Sequence, residues 1–314
     1  MKHVIFGAAF ACVLAAPALA TDYTIMAPAG PGGGWDQTAR TMQEVMQAEG
    51  ISASVQVQNV PGAGGTVGLA QFVASASGDP TQLIVGGYVM VGAILTNASP
   101  VSLADVTPIA RLTGEAVAIV VPAASPHQTI GDLVEAMKAD PGAVSWAGGS
   151  AGGVDHITVG LLAKAAGIDP TKMNYVAFSG GGEALAAILG NQVTAGISGL
   201  GEFLPQVQAG TMRLLAVSTA ERIAGVDAPT LTEAGYDVAV QNWRMVAAAP
   251  GLSDEQKAAV MADIEKLNAS AGWTAALETK GWENTFLAGA EFEAQLAKDI
   301  AATEGILRDI GLVK

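Results

Sequence analysis

Short apolar runs alternate with helical patterns along this chain, and clusters of glycine stand where one gives way to the other. "DYTIMAPA" (22–29) reads as a buried strand. "WDQTARTMQEVMQAEG" follows, with Ala39, Met42, Val45 and Met46 at helical spacing and Gly50 as a stop. "ASVQVQNV" (53–60) alternates as a strand, "GGTVGLAQFVASAS" reads as a helix, and "QLIVGGY" (82–88) as a third strand. This order predicts a parallel sheet with helices on its faces.

A second series follows. "AVAIVVPA", "AVSWAGG", "MNYVAF", "QVTAGISG" and "RLLAVS" read as strands, with "TIGDLVEAMKAD", "VDHITVGLLAKAAG", "GEALAAILG" and "LGEFLPQVQAG" as helices. "VAVQNWRMVAAAP" (238–250) reads as one long strand, and the remainder as mainly amphipathic helix. The two series repeat a pattern. A strand enters Gly33-Gly34-Trp35-Asp36 and a helix leaves it; 119 residues later (152 − 33) the same happens at Gly152-Gly153-Val154-Asp155. "NVPGAGG" and "AFSGGGE" form a second such pair. Two pseudo-symmetric lobes are expected.

"MKHVIFGAAFACVLAAPALA" has the charged start, apolar stretch and small-residue end of a secretory signal, with cleavage expected after Ala20. The stretch is short for a membrane span. The remaining 294 residues (314 less 20) suffice for two domains. They contain no cysteine, and only His127 and His156 among the histidines. Loss of Lys2 leaves 14 Lys and Arg against 29 Asp and Glu, a formal charge of −15. That balance argues against nucleic acid as a partner and suits an exported protein.

The sharper motifs fail individually. No glycine loop ends in the Gly-Lys of a phosphate-binding P-loop. "GAGGTVG" (62–68) has one residue too many for a dinucleotide loop, and the next strand ends in Gly86-Gly87-Tyr88 instead of a ribose-binding acid. Gly148-Gly149-Ser150-Ala151-Gly152 matches a nucleophile elbow, so a secreted hydrolase using Ser150 is the rival reading. The only histidine after Ser150 is the adjoining His156, which does not suit a triad. Two histidines without clustered carboxylates offer no metal site, and no cofactor is expected. What remains is anion binding by backbone. The first N–H groups of a helix lack intrahelical partners and carry its positive dipole end, and glycines let a ligand approach them. Several such ends converging from two lobes make a carboxylate trap.

"MAPAGPGGGWDQTAR", "NVPGAGGTVG", "SAGGVDHI", "YVAFSGGGEALAAILGNQV" and "QAGTMRLLAVS", in this order behind a signal peptide, resemble the tripartite tricarboxylate transporter substrate-binding family, the Bug or TctC-like receptors. The resemblance covers nearly the whole mature chain. It implies a periplasmic-binding-protein-like α/β Venus flytrap, with lobe 1 at 21–117 plus 245–314, lobe 2 at 118–244, and crossing hinge strands that close around a ligand. It further implies a monomeric periplasmic receptor, not an enzyme, which takes a di- or tricarboxylate, citrate-like or C4, to a membrane permease of a small and a large subunit. Carried over, Gly32, Gly33, Gly34 and Trp35 form one ligand loop, and Pro61, Gly62, Ala63, Gly64 and Gly65 a second. Ser150, Gly152, Asp155 and His156 form a third; Ser179, Gly180, Gly181 and Gly182 a fourth. Ser198 starts a further loop, and Tyr88 closes the third strand beside them. Trp35, where many relatives carry a smaller residue, resembles the branch associated with citrate. Asp36 is open between capping its helix and holding a water or a ligand hydroxyl or amine; Asp155 is the same case in the second lobe.

Overall fold

The computed structural model describes residues 21–179 and 181–314. The expected signal segment and Gly180 lie outside the described residues. One strand organises the rest. β4 (Thr107–Pro122) is sixteen residues long and almost entirely buried. Its first part, 107–116, pairs antiparallel with β9 (Gln241–Ala248) on one side, while 110–114 pair with β10 (Glu283–Ala288) on the other. Its second part, 117–122, carries β7 (Ala195–Gly199) and β8 (Met212–Val217) instead. The run "AVAIVV" is continuously apolar because both its faces are covered.

In lobe 1, β9 also pairs with β3 (Gln82–Gly87), which runs parallel to β1 (Tyr23–Ala27), itself parallel to β2 (Val55–Asn59). Helices α1 (Gly34–Ala48), α2 (Thr66–Ser75) and α3 (Tyr88–Thr96) follow these strands, and α8 (Asp254–Ala269), α9 (Ala271–Lys280) and α10 (Gly289–Asp309) complete the lobe. In α1, Ala39, Met42, Val45 and Met46 make the buried stripe their spacing predicts. In lobe 2, β7 runs parallel to β5 (Ser145–Gly148), and β5 to β6 (Asn174–Ala177). Helices α4 (Ile130–Ala139), α5 (Val154–Ala165), α6 (Gly181–Leu189) and α7 (Leu200–Gln208) cover both faces. Reciprocal capping boxes open α4 (Thr129 with Asp132) and α8 (Ser253 with Gln256).

Two elements depart from expectation. The stretch "YVMVGAILT" continues past the third strand as α3, apolar on nearly every side because it is wedged between the lobes. The tail contains β10, whose partners in β4 lie 169 (283 − 114) to 178 (288 − 110) residues earlier. The lobes meet along α3. Gly92 abuts the carbonyl of Gly152, and Gly152 abuts Thr96; a Cβ at either glycine has no room. Beside this seam, Ile157 and Leu161 of α5 pack with Ile306, Leu307 and Ile310 at the end of α10.

Candidate functional site: an interlobe cleft

The carboxyl ends of the parallel strands face each other across a cleft lined by residues of both lobes. Four helices begin there: α1 at Gly33 and Gly34, α2 at Gly64 and Gly65, α5 at Ser150 and Val154, α6 at Ser179 and Gly181. Trp35, Gly62, Asp155 and Ser198 also line the cleft.

The loops ahead of α1 and α5 have the same backbone. Gly32 and Gly152 adopt φ of +82° and +74°, a left-handed turn that glycine makes without strain. Gly33 and Gly153 then cap the helices at φ −70°, ψ 163° and φ −73°, ψ 176°. The N–H of Gly33 donates to the Gly30 carbonyl at 3.2 Å, and that of Gly153 to the Ser150 carbonyl at 2.9 Å. These bonds superpose the loops at an offset of 120 residues (150 − 30), one more than the matching letters suggest. Asp36 therefore corresponds to His156 at the third helical position, and Trp35 to Asp155 at the second. One residue is about 100° around a helix, so the two aspartates point in different directions.

The third-position side chains bind their own loops. Asp36 Oδ2 accepts the Gly32 N–H at 2.8 Å, and His156 Nδ1 accepts the Gly152 N–H at 3.2 Å. Asp36 also accepts from Asn59 Nδ2 and Arg40 Nε, each at 2.9 Å. Burial pushes its pKa up, but the bonds from Arg40, Gly32 and Asn59 outweigh that and hold it below the ordinary value. The His156 ring stacks on Tyr175 with centroids 4.1 Å apart, and burial lowers its pKa to about 4, so it is neutral at pH 7. Neither side chain lines the cleft. The second-position side chains do. Asp155 is buried and accepts the Gly149 N–H on Oδ2 at 2.8 Å. Burial and the nearby Glu115 raise its pKa to about 7, against the opposing bond from Gly149 and the charge of Arg244.

Of the other expected residues, Gly32, Pro61 and Gly182 are exposed and do not line the cleft, and Gly152 belongs to the interlobe seam. Ala63 sits at the outer mouth, its carbonyl accepting from Asn97 at 3.1 Å. Tyr88 opens α3, stacks on Trp243 and faces a separate cavity with Arg111 and Asp299. Among the described residues, no hydrogen bond joins Ser150 Oγ to a histidine, and His156 is held by Gly152 and Tyr175.

Sequence reasoning missed the cleft floor. Arg244 of β9, 2 % exposed, pairs with Glu115 of β4, 1 % exposed, and its guanidinium lies 4.8 Å over the Trp282 ring. Glu115 Oε1 also accepts the Gly201 N–H at 2.9 Å. Arg244 Nη1 has no protein partner among the described residues, although it is buried and its residue lines the cleft. Gly34 rests directly on this guanidinium, where a Cβ would collide. Beside them Glu202 of α7 accepts the Ser198 hydroxyl at 2.9 Å, and burial followed by Glu115 raises its pKa to about 7. The available signal was a charge set inside each of two mainly apolar strands, Glu115 in β4 and Arg244 in β9, since a buried charge requires a partner.

Two α/β lobes on shared long strands, with helix N-termini and one buried arginine turned into the cleft, define the fold class of the periplasmic binding proteins. Residues 38–312 match the profile of the tripartite tricarboxylate transporter family receptor, and the chain belongs to that family. A UPF0065 protein of Bordetella bronchiseptica is 32 % identical over 237 residues, covering 72 % of this chain and 67 % of its own. Among solved structures, the periplasmic binding protein BugD superposes with a TM-score of 0.84 at 21 % identity, over 94 % of this chain and 99 % of BugD. MatC from Rhodopseudomonas palustris, solved with bound malate, gives 0.78 at 24 % identity, over 91 % and 99 %.

Proposed function

We propose that this chain is an exported receptor that captures a small di- or tricarboxylate in the interlobe cleft and delivers it to a membrane permease of its transporter class. The observation that carries the reading is the buried Arg244 with its unpartnered Nη1, surrounded by the open N-termini of α1, α2, α5 and α6. Each N-terminus contributes backbone donors and a positive dipole end, typically about 0.3–1 kcal/mol apiece at a surface, and a guanidinium adds a fork suited to a carboxylate. Family membership and the malate held by MatC support a carboxylate as ligand. The acidic net charge of the whole chain does not oppose this, because the field in the cleft is local and includes the helix-start amides and Arg244.

In this reading the mature protein begins at Thr21 and works in the periplasm as a monomer. Lobe 1 takes residues 21–117 and 245–314, lobe 2 takes 118–244, and they rotate about the strands where the chain crosses. Gly33, Gly34, Gly64, Gly65, Ser150, Ser179, Gly181 and Ser198 contact the ligand. Calorimetry of refolded, ligand-free protein against citrate, malate and succinate is expected to give one-to-one binding of at least one of them. Absence of heat from any di- or tricarboxylate defeats the reading. Gly34→Leu drives a side chain into the Arg244 guanidinium and is expected to weaken that binding at least ~100-fold, about 2.7 kcal/mol. Unchanged affinity in a folded Gly34→Leu protein removes Arg244 and the first loop from the site.

A further inference from the structure

An anion site is an unfavourable place for carboxylates, yet two line this cleft. Asp155 and Glu202 each engage one oxygen with the protein: Oδ2 with the Gly149 N–H, Oε2 with the Ser198 hydroxyl. Asp155 Oδ1 and Glu202 Oε1 have no protein hydrogen bond among the described residues. They sit at the starts of α5 and α6: Asp155 is the second residue of α5, and the Glu202 carboxyl lies against Gly181, the first of α6. The one cation facing them, Arg244, is already committed to Glu115. With both acids ionised, the floor would carry two uncompensated negative charges at the place where a ligand carboxylate must sit. Arg244 Nη1 is buried without a protein acceptor among the described residues, and its residue lines the same cleft, which leaves it a donor to offer there.

We propose that Asp155 and Glu202 bind the ligand as neutral carboxylic acids, donating hydrogen bonds from Oδ1 and Oε1 to ligand carboxylate oxygens, so that capture takes up protons from solvent. The inference rests on the carboxylate-receptor reading and adds to it the form in which the acids work. An acid proton supplies the donor that an ionised side chain lacks, and removes the repulsion at the same time.

The surroundings of both acids favour the neutral form. Asp155 is faced by the Gly149 N–H, by Tyr175 of β6, by Glu115 of β4 and by Arg244 of β9. Glu202 is faced by Ser198 of β7, Glu115, Arg244 and Asp155. His156 adds no charge at neutral pH, being stacked on Tyr175 with its pKa lowered. Glu183 stands exposed at the mouth beside Ser179. Burial first, then Glu115, raises Asp155 and Glu202 to about 7, and a bound anion raises them further. Protons are therefore taken up on binding near and above neutrality, and affinity falls as pH rises through that range.

The test is calorimetry of the intact protein with citrate, malate and succinate in buffers of different ionisation enthalpy, from about pH 7 to about pH 8.5. For whichever binds, one to two protons are expected to be taken up per ligand, with affinity falling by up to about tenfold per pH unit for each proton. Asp155→Asn with Glu202→Gln keeps an amide donor at each position. It is expected to retain binding while losing both the proton uptake and the pH slope. Tight binding by the unaltered protein without proton uptake overturns the inference, and needs no variant to fold. So does exclusive binding of an aminodicarboxylate such as aspartate, because an ammonium group would keep the acids ionised. If no carboxylate binds at any pH, the receptor reading itself has failed.

Discussion

The loops ahead of α1 and α5 follow the same backbone path and turn different chemistry toward the cleft. At the second helical position lobe 1 presents the indole of Trp35 and lobe 2 the carboxyl of Asp155. At the third, Asp36 and His156 each reach back to a glycine N–H of the preceding turn. The roles belong to helical positions, and the shared aspartate letter crosses from one position to the other. A carboxylate at the third position with Arg40 and Asn59 beside it stays ionised and braces its loop. A buried carboxyl at the second, with the Gly149 N–H and an arginine that Glu115 already holds, is pushed toward neutrality. Backbone symmetry thus builds two equal frames, and one residue of register decides which side chain lines the cleft.

The most severe way to stress this contrast is Arg244→Gln, which withdraws the one cation near Asp155 and strands a buried Glu115. A loss of about 3–5 kcal/mol is expected, measured by chemical denaturation, with ligand binding abolished. A loss below about 1 kcal/mol would mean that the pair does not hold the floor together. Asp36→Ala is the next largest. It leaves the Gly32 N–H and Asn59 without their acceptor, at about 1–3 kcal/mol. The pH dependence of ligand binding should not change; a changed slope would give Asp36 a place in the cleft chemistry. Asp155→Asn has an effect of opposite sign. Its folded pKa of about 7 exceeds the ordinary 3.8, so the folded chain holds extra protons between those values, and stability falls as pH rises from about 4 to about 7. Asparagine still accepts from Gly149 but escapes that loss. The variant should melt higher than the parent above about pH 7, the gain fading toward pH 4. An equal or lower melting temperature at about pH 8 would mean that Asp155 is ionised at no cost.

Most of the architecture could be read from residue patterns because it is local. Glycine clusters between apolar runs and amphipathic stretches mark helix starts, and Gly33, Gly34, Gly64, Gly65, Ser150, Ser179 and Gly181 all reach the cleft. The floor could not be read in the same way. Arg244 and Glu115 are 129 residues apart, and only the pairing of β4 with β9 brings them together. The register of the two loops was hidden for a different reason. Matching letters align Asp36 with Asp155, whereas hydrogen bonds align Asp36 with His156, and periodicity cannot detect a one-residue slip between segments of similar composition. α3 was missed because an all-apolar helix between two lobes carries no amphipathic signal.

The glycine seam along α3 has a kinetic meaning. Gly92 meets the Gly152 carbonyl backbone to backbone there, while the Thr96 and Val89 side chains lie against Gly152 and Gly153. The glycine contact itself would expose little apolar surface on parting, so it is the neighbouring cluster of Ile157 and Leu161 with Leu307 and Ile310 that would slow any separation of the lobes.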